Sequence, residues 1–384
     1  MDEKEIQSIL LEVLRLTVNE QTADDTLKQK MASGVVADVY RLAKKHDLAH
    51  VVSHFVYQNQ IQLDKELAQK LQREEMISVY RHEQMKAAFE EICGAFEQAN
   101  IAYLPLKGAI IRAYYPFESM RTSCDIDILI HEDDLKIALQ SLEAKGYQTG
   151  ERSYHDVSVY SPGKIHLELH FNIQESMDNL DEVLKDAWQY AVPTKGSRYD
   201  FAKEFFVFHT YAHMAYHFIT GGCGIRALLD IWVMEQKMHA HYSCAETLLK
   251  KAGIYTFSAQ MSEIANACFS QTEQDEFADL VLKYIYSGGV YGNIENSITV
   301  EKSKNGGVFS YAIKRLFLPY STMILAFPIL KKAPILLPFC WVLRWIKAIF
   351  GKKSKRISAE LNYANNVSKE KINETRAILD RLEL

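Results

Sequence analysis

The chain has 384 residues, of which 48% are apolar and 24% charged, with a formal net charge of −5. That length and apolar content can bury a large core and suggest two to three domains, and the average charge gives no reason to expect a nucleic-acid binder. The charge is unevenly spread, however. Residues 301–356 hold twelve Lys/Arg against one acidic residue, a net +11 that leaves −16 on the remainder, so an anionic surface is a candidate partner for that segment. The six cysteines (Cys93, Cys124, Cys223, Cys244, Cys268 and Cys340) are scattered without a C-x-x-C pair, which reads as buried thiols in a reducing compartment. The opening MDEKEIQSILLEVL is acidic and then amphipathic, unlike a secretory signal. A cytoplasmic protein is expected.

In chain order, residues 1–99 read as a helical bundle. Ile6, Ile9, Leu10, Val13 and Leu14 recur at helical spacing, and Leu63 to Ala99 is a long run almost without breakers. Residues 100–197 change texture. IAYLPL is a short apolar run ending at Lys107-Gly108, and AIIRAYY is helical. CDIDILI alternates with period two and is predicted as a strand. Asp133 is placed to cap a helix over Asp134 to Lys145, with Gly146 at its stop. VSVY and KIHLELHF are predicted as a hairpin around Ser161-Pro162-Gly163. Residues 198–300 return to helical periodicity, and residues 301–384 form a basic, apolar C-terminal region. The fold class is α+β, a small mixed-sheet core flanked by helical regions.

The chemistry gathers on the predicted strands. Side chains alternate along a strand, so Asp125 and Asp127 share one face while Ile126 and Ile128 point into the core. Two carboxylates so close repel unless a cation lies between them, and a hard dication such as Mg²⁺ (or Mn²⁺) takes such oxygen ligands. Gly108-Ala109 opens a helix after a strand, which aims backbone N–H groups at an anion. Lys107 and Arg121 add positive charge on either side, and Ser123 stands between Arg121 and the acidic pair. On KIHLELHF, His166, Glu168 and His170 share a face. Glu168 is the expected third carboxylate, a metal ligand and base toward an attacking hydroxyl, with Asp156 its rival. Metal-binding carboxylates, an anion cradle and basic residues are what phosphoryl or nucleotidyl transfer needs.

The stretch LPLKGAIIRAYYPFESMRTSCDIDILI, then EAKGYQ, then KIHLELHFNI resembles the uncharacterised nucleotidyltransferase family of bacteria, within the DNA polymerase beta-like superfamily. L-K-G, a helix ending near Y-P, an Arg before D-x-D, a helix ending in G-Y and an acidic-L-H strand occur in order between about Leu104 and Phe171. The helix around Ala212 to His217 and the run Arg226 to Asp230 are similar too. The resemblance implies a nucleoside triphosphate (NTP) donor, two divalent metals on Asp125, Asp127 and Glu168, and an acceptor that varies across the superfamily. It places Gly108 and Ala109 in the turn that cradles triphosphate. Ala109 departs from the usual Ser or Gly, and Glu168 from the common Asp. His170, His213, His217 and Arg226 become candidate substrate contacts.

Other readings compete. His209, His213 and His217 form a stripe at i, i+4 spacing, but the glutamate of H-E-x-x-H is missing. A site that has lost turnover would leave a nucleotide-binding or scaffold protein. The segment Pro319 to Phe350 is apolar but broken by Lys331-Lys332 and three prolines, so neither half reaches the ~20 residues of a membrane span. CWVLRWIKAIF followed by GKKSKR resembles an interfacial helix, so residues 331–356 are a candidate peripheral contact with the inner face of the membrane; packing on the helical domain is the alternative. The acceptor, the base of the donor and a role for nucleic acid stay open.

Overall fold

The computed structural model describes residues 2–384 apart from 176, 271, 273–274, 291, 306–316, 319, 321–322, 325–326, 351–362 and 364–365. Four helices open the chain: α1 (Glu3–Val18), α2 (Asp25–Lys30), α3 (Val36–Lys45) and α4 (Ala49–Gln58). Helix α5 (Lys65–Ala99) follows, capped at its start by the Asp64 carboxylate, which accepts from the Leu67 N–H, and closed by left-handed Asn100. The sheet unit comes next: β1 (Tyr103–Pro105), α6 (Lys107–Ile111), β2 (Asp125–Ile130), α7 (Leu135–Glu143), β3 (Gln148–Arg152), β4 (Asp156–Tyr160) and β5 (His166–His170). After α8 (Asp178–Leu184) and a short hairpin of β6 (Ala191–Pro193) and β7 (Tyr199–Phe201), the chain is helical. It runs through α9 (Lys203–Thr220), α10 (Ile225–Gln236), α11 (Glu246–Lys251), α12 (Tyr255–Phe269), α13 (Glu276–Gly288) and α14 (Ile294–Asn305). Two more helices follow, α15 (Leu337–Phe350) and α16 (Lys369–Leu382). The molecule is α+β, as its periodicities predict.

The sheet order is β1-β2-β5-β4-β3. β2 and β5 are parallel and the other neighbours antiparallel. One face carries Ile126, Ile128, Leu167, Leu169, Val157 and Val159 into a core shared with α5 and α7, through residues such as Met85, Ile92, Phe96, Ala138 and Leu142. The other face carries polar residues along β2 and β5, with Leu104 and Leu129 beside them packed into the main apolar cluster. The N-terminal helices and those after Lys203 do not form separate cores. Leu10, Val13 and Phe55 lie in one apolar cluster with Phe208, Leu229, Phe257 and Ile285.

Three local details go beyond the sequence reading, the first of them correcting it. Asp133 caps nothing: a 3₁₀ turn over Glu132–Asp134 precedes α7, whose N-cap residue Asp134 makes no side-chain cap bond. In the β4–β5 hairpin the left-handed residue is Lys164, φ 62°, rather than Gly163; the Lys164 N–H donates to the Ser161 carbonyl and the Ile165 N–H to the Ser161 hydroxyl. The third is β3. Every residue of this edge strand is exposed, so it lacks the alternation by which a strand is recognised.

Candidate active site

The parallel pairing of β2 with β5 sets Asp125 beside His166, Asp127 beside Glu168 and Leu129 beside His170. Alternation then puts Asp125, Asp127, Glu168 and His170 on one face. Ligand atoms of Asp127, Glu168 and His170 lie within 4.8 Å of one another, and so do those of Asp125, His166 and Glu168. Glu168 thus stands in the strand next to the acidic pair, while its rival Asp156 is one strand further out, opposite His170 and bonded to His155 at 3.0 Å. The carboxylates differ in charge state. Burial alone would raise Asp127, but a hydrogen bond from His170 Nε2 (3.3 Å), the charge of that ring and that of Lys107 hold it down at about 2. Burial and the charge of Asp127 raise Asp125. Burial, then Asp127 and Asp125, push Glu168 up to about 7. A cluster of hard oxygen donors that repel one another in the metal-free protein fits a divalent cation.

This asymmetry yields a first prediction. Because the folded-state pKa of Glu168 is raised, the native protein binds more protons than the unfolded chain between the ordinary glutamate value and about 7. Stability therefore falls as pH rises through that window. In EDTA, Glu168→Gln should raise the melting temperature at pH 8 and leave it nearly unchanged at pH 4.5. An equal shift at both pH values would show that Glu168 carries no such repulsion.

The β1–α6 junction supplies the cationic side. The Leu106 N–H donates to the Asp127 carbonyl, 3.0 Å, which brings Lys107 and Gly108 beside β2. Burial lowers the Lys107 ammonium to about 8, against the opposing charges of Asp127 and Glu175. The Ala109 N–H closes the turn on the Leu106 carbonyl, 3.0 Å, so that amide is already engaged. Helix α6 is only five residues long and offers a correspondingly small dipole.

Arg121, expected on the phosphate, is taken up elsewhere. Its Nε and Nη2 donate to both oxygens of Asp230 at 3.1 and 2.9 Å, and Tyr115 donates its hydroxyl to the same carboxylate at 2.7 Å. Arg121 also explains Gly108: a Cβ there would sit 2.9 Å from Arg121 Nη1. The residue that faces the site is Arg112. It shares a cavity lining with Gly108, Ala109, Ser123, Asp125 and Asp127, and its Nη2 donates to the Ser123 hydroxyl at 2.5 Å. It pairs with no carboxylate among the described residues, and its Nε is buried without a partner there. Burial, aided by the charge of Arg121, lowers it to about 10. Arg112 lies in a helical stretch that hides this role; its one signal in the sequence is position, four residues after Gly108.

The histidine stripe lies across from Lys107. Burial, followed by the charge of Lys107, depresses His209, His213 and His217, the last to about 4. His213 Nδ1 bonds Glu175 at 3.0 Å and its ring meets His217 edge-on at 4.3 Å. Neutral rings beside an ammonium, without a second carboxylate, do not resemble a zinc site. Arg226 is engaged with Asp47 and with the Thr122 carbonyl and hydroxyl at 3.0–3.1 Å, tying the α3–α4 turn to the segment before β2.

No curated protein and no solved structure matches the chain. Residues 35–270 match the model of a family described as uncharacterised nucleotidyltransferase. That match spans all five sheet strands, the Arg121–Asp230 pair and the histidine stripe, and covers more than half of the 384 residues. The chain belongs to the uncharacterised nucleotidyltransferase family.

Proposed function

We propose that the protein moves a nucleoside monophosphate from an NTP to the hydroxyl of an acceptor. The observation that carries this reading is the gathering of Asp125, Asp127 and Glu168 beside a cation-lined cavity, in a chain of this family. The three carboxylates would hold Mg²⁺ or Mn²⁺, which when bound lowers the pKa of the attacking hydroxyl and offsets charge developing on the α-phosphate. Arg112, Lys107 and Ser123 bind the triphosphate, with Gly108 and Ala109 keeping the wall small. His170 keeps Asp127 ionised. Glu168, raised toward neutrality, accepts the proton of the acceptor hydroxyl. The acceptor oxygen bonds to the α-phosphorus, the bond from that phosphorus to the bridging oxygen breaks, and pyrophosphate leaves. His213 and His217, kept neutral by burial and the charge of Lys107, would offer hydrogen-bonding groups to the substrate. The direct test is pyrophosphate release from each of the four common NTPs with Mg²⁺ and cell extract. Release from none would contradict the reading and favour a binding protein without turnover.

The cationic side gives a second prediction. Charge-assisted hydrogen bonds contribute about 1.5–3 kcal/mol, so Arg112→Ala should weaken NTP binding by roughly ten- to a hundredfold while preserving the melting temperature. Calorimetric titration checks it; unchanged affinity would remove Arg112 from the donor site.

A specific observation also favours a membrane-surface location, with the enzyme in the cytoplasm at the inner leaflet. Ile335, Phe339, Val342, Leu343 and Ile346 are 46–86% exposed, and from Phe339 onward they share one face of α15. The segment buries Met323, Leu330 and Cys340 in a small cluster of its own rather than in the main core. No described helix is long and apolar enough to cross a membrane, and the basic run 351–356 lies outside the described residues. The full chain should float with vesicles containing anionic lipid, and Phe339→Asp with Ile346→Asp should abolish flotation. Equal recovery with neutral vesicles would exclude the electrostatic part.

A further inference from the structure

In-line displacement requires the leaving pyrophosphate and the attacking hydroxyl on opposite sides of the α-phosphorus. The donor-side cavity, lined by Gly108, Arg112 and Ser123, reaches Asp125 and Asp127 from the start of β2. A second cavity of about 670 Å³ lies at the other end of the strands. Leu129, two residues beyond Asp127 on the same face and so about 6–7 Å along β2, is part of its wall. Phe171 and Asn172, which continue β5 past His170, and Tyr154, just before β4, form more of it. His170, with its register partner Asp156, lies between Glu168 and the wall residue Phe171 in the chain.

We infer that this cavity is the acceptor site, and that the acceptor is a small, hydroxyl-rich ring compound of the sugar class. The inference rests on the nucleotidyl-transfer reading for its chemistry, but the binding it describes can be measured without turnover. Size comes first: about 670 Å³ suits a small molecule rather than a polymer, small-molecule sites running roughly 300–1,000 Å³. The lining comes second. Trp188, Tyr154 and Phe171 supply ring faces, while Asn172 and Gln174, bonded to each other at 2.8 Å, and Arg152, paired with Glu132 at 3.0 Å, supply planar polar groups. The faces are held in place: His131 stacks on Trp188 at 3.9 Å, and the Arg152 guanidinium lies 4.8 Å from the Phe171 ring centre. Flat apolar faces interleaved with planar amides match a pyranose, which offers C–H faces and hydroxyl edges.

Unsatisfied hydrogen-bonding groups form the third strand of support. Among the described residues, Trp188 Nε1, His155 Nδ1 and His170 Nδ1 are buried without a partner. Trp188 belongs to the wall, and the two imidazoles, each next in the chain to a wall residue (Tyr154 and Phe171), stack 5.7 Å apart. A buried donor or acceptor left without a partner is destabilising. Hydroxyls both donate and accept, so a hydroxyl-rich ligand relieves an indole donor and imidazole nitrogens alike, with the small side-chain rotations common on binding. A hydroxyl lodged beside His170 is also next to Glu168, the group that takes its proton.

Saturation-transfer NMR on the full chain tests this without nucleotide, using glucose, galactose, mannose, glucosamine and N-acetylglucosamine as probes. At least one should show ring-proton saturation that Trp188→Ala and Asn172→Ala each reduce fivefold or more, and that survives in Asp125→Asn. In a second arm, α-labelled NTP with Mg²⁺ is incubated with extract split at about 1 kDa, and label should pass to the low-mass fraction. Absence of saturation with every probe, wild-type saturation in both cavity variants, or label confined to protein or RNA would each overturn the acceptor assignment. Failure of pyrophosphate release would sink the transfer reading instead, and leave the sugar-binding result to stand or fall by itself.

Discussion

Asp125→Asn and Asp127→Asn are each expected to lower pyrophosphate release by at least ~10³-fold, the scale on which preorganised electrostatic stabilisation acts. Asparagine keeps the volume and the strand register of β2, so the fold should survive. The two variants should part in stability. Asp127 is held ionised at about 2 by the His170 hydrogen bond in spite of its burial, so neutralising it removes a favourable interaction and lowers the melting temperature of the metal-free protein. Asp125 is raised by burial and by the charge of Asp127, so neutralising it relieves repulsion and raises the melting temperature. Equal loss of activity with opposite shifts in stability is a pattern that two merely structural aspartates would not give. Wild-type turnover in either variant would end the carboxylate reading.

Arg121→Ala is expected to destabilise the protein by about 3–5 kcal/mol, the cost of stranding one partner of a buried ion pair. The guanidinium and the Asp230 carboxylate are only 6% and 12% exposed. Removing Arg121 strips that carboxylate of both guanidinium hydrogen bonds, leaving it the Tyr115 hydroxyl and the weaker field of Arg226, and opens space beneath Gly108. Asp230→Ala should cost a similar amount. The double replacement Arg121→Met with Asp230→Leu should recover much of the loss, since apolar residues of similar volume often replace a buried pair without penalty. Denaturant melts of the three variants measure this. Near-wild-type stability in Arg121→Ala, together with a large loss of NTP affinity, would return Arg121 to the phosphate role that its place before D-x-D suggested.

The contrast between Arg121 and Arg112 shows where the sequence is legible. Period-two alternation in CDIDILI and KIHLELHF reveals which carboxylates share a face, because strand geometry is local. Whether β5 would lie beside β2 depends on packing over some forty residues; the aliphatic opposite face of KIHLELHF, the turn before it and the resemblance all pointed to it, but no local pattern fixes it. The partner of Arg121 is 109 residues away in α10, and no local pattern announces that pairing. Arg112 becomes the candidate phosphate cation only once Arg121 is spent. Strand β3 is wholly exposed and so carried no hydrophobic rhythm. The shared core of the N-terminal helices and α9–α13 was equally hidden, because amphipathic helices report that they bury a face without naming what covers it. The cavity beyond His170 joins residues from β2, β3, the segment after β5, the end of α8 and the turn before β6, an assembly that exists only in three dimensions.

The central claim is that the α-phosphorus of an NTP is the atom attacked at the Asp125–Asp127–Glu168 cluster. The most direct measurement follows the fate of two labels in parallel. The full-length protein is incubated with Mg²⁺, cell extract and an NTP carrying label either at the α- or at the γ-phosphate. Transfer of the α-label to an acceptor, appearance of the γ-label in pyrophosphate, and loss of both in Asp125→Asn are the results expected. Transfer of the γ-label to the acceptor, or α-label transfer that persists in Asp125→Asn, would contradict it.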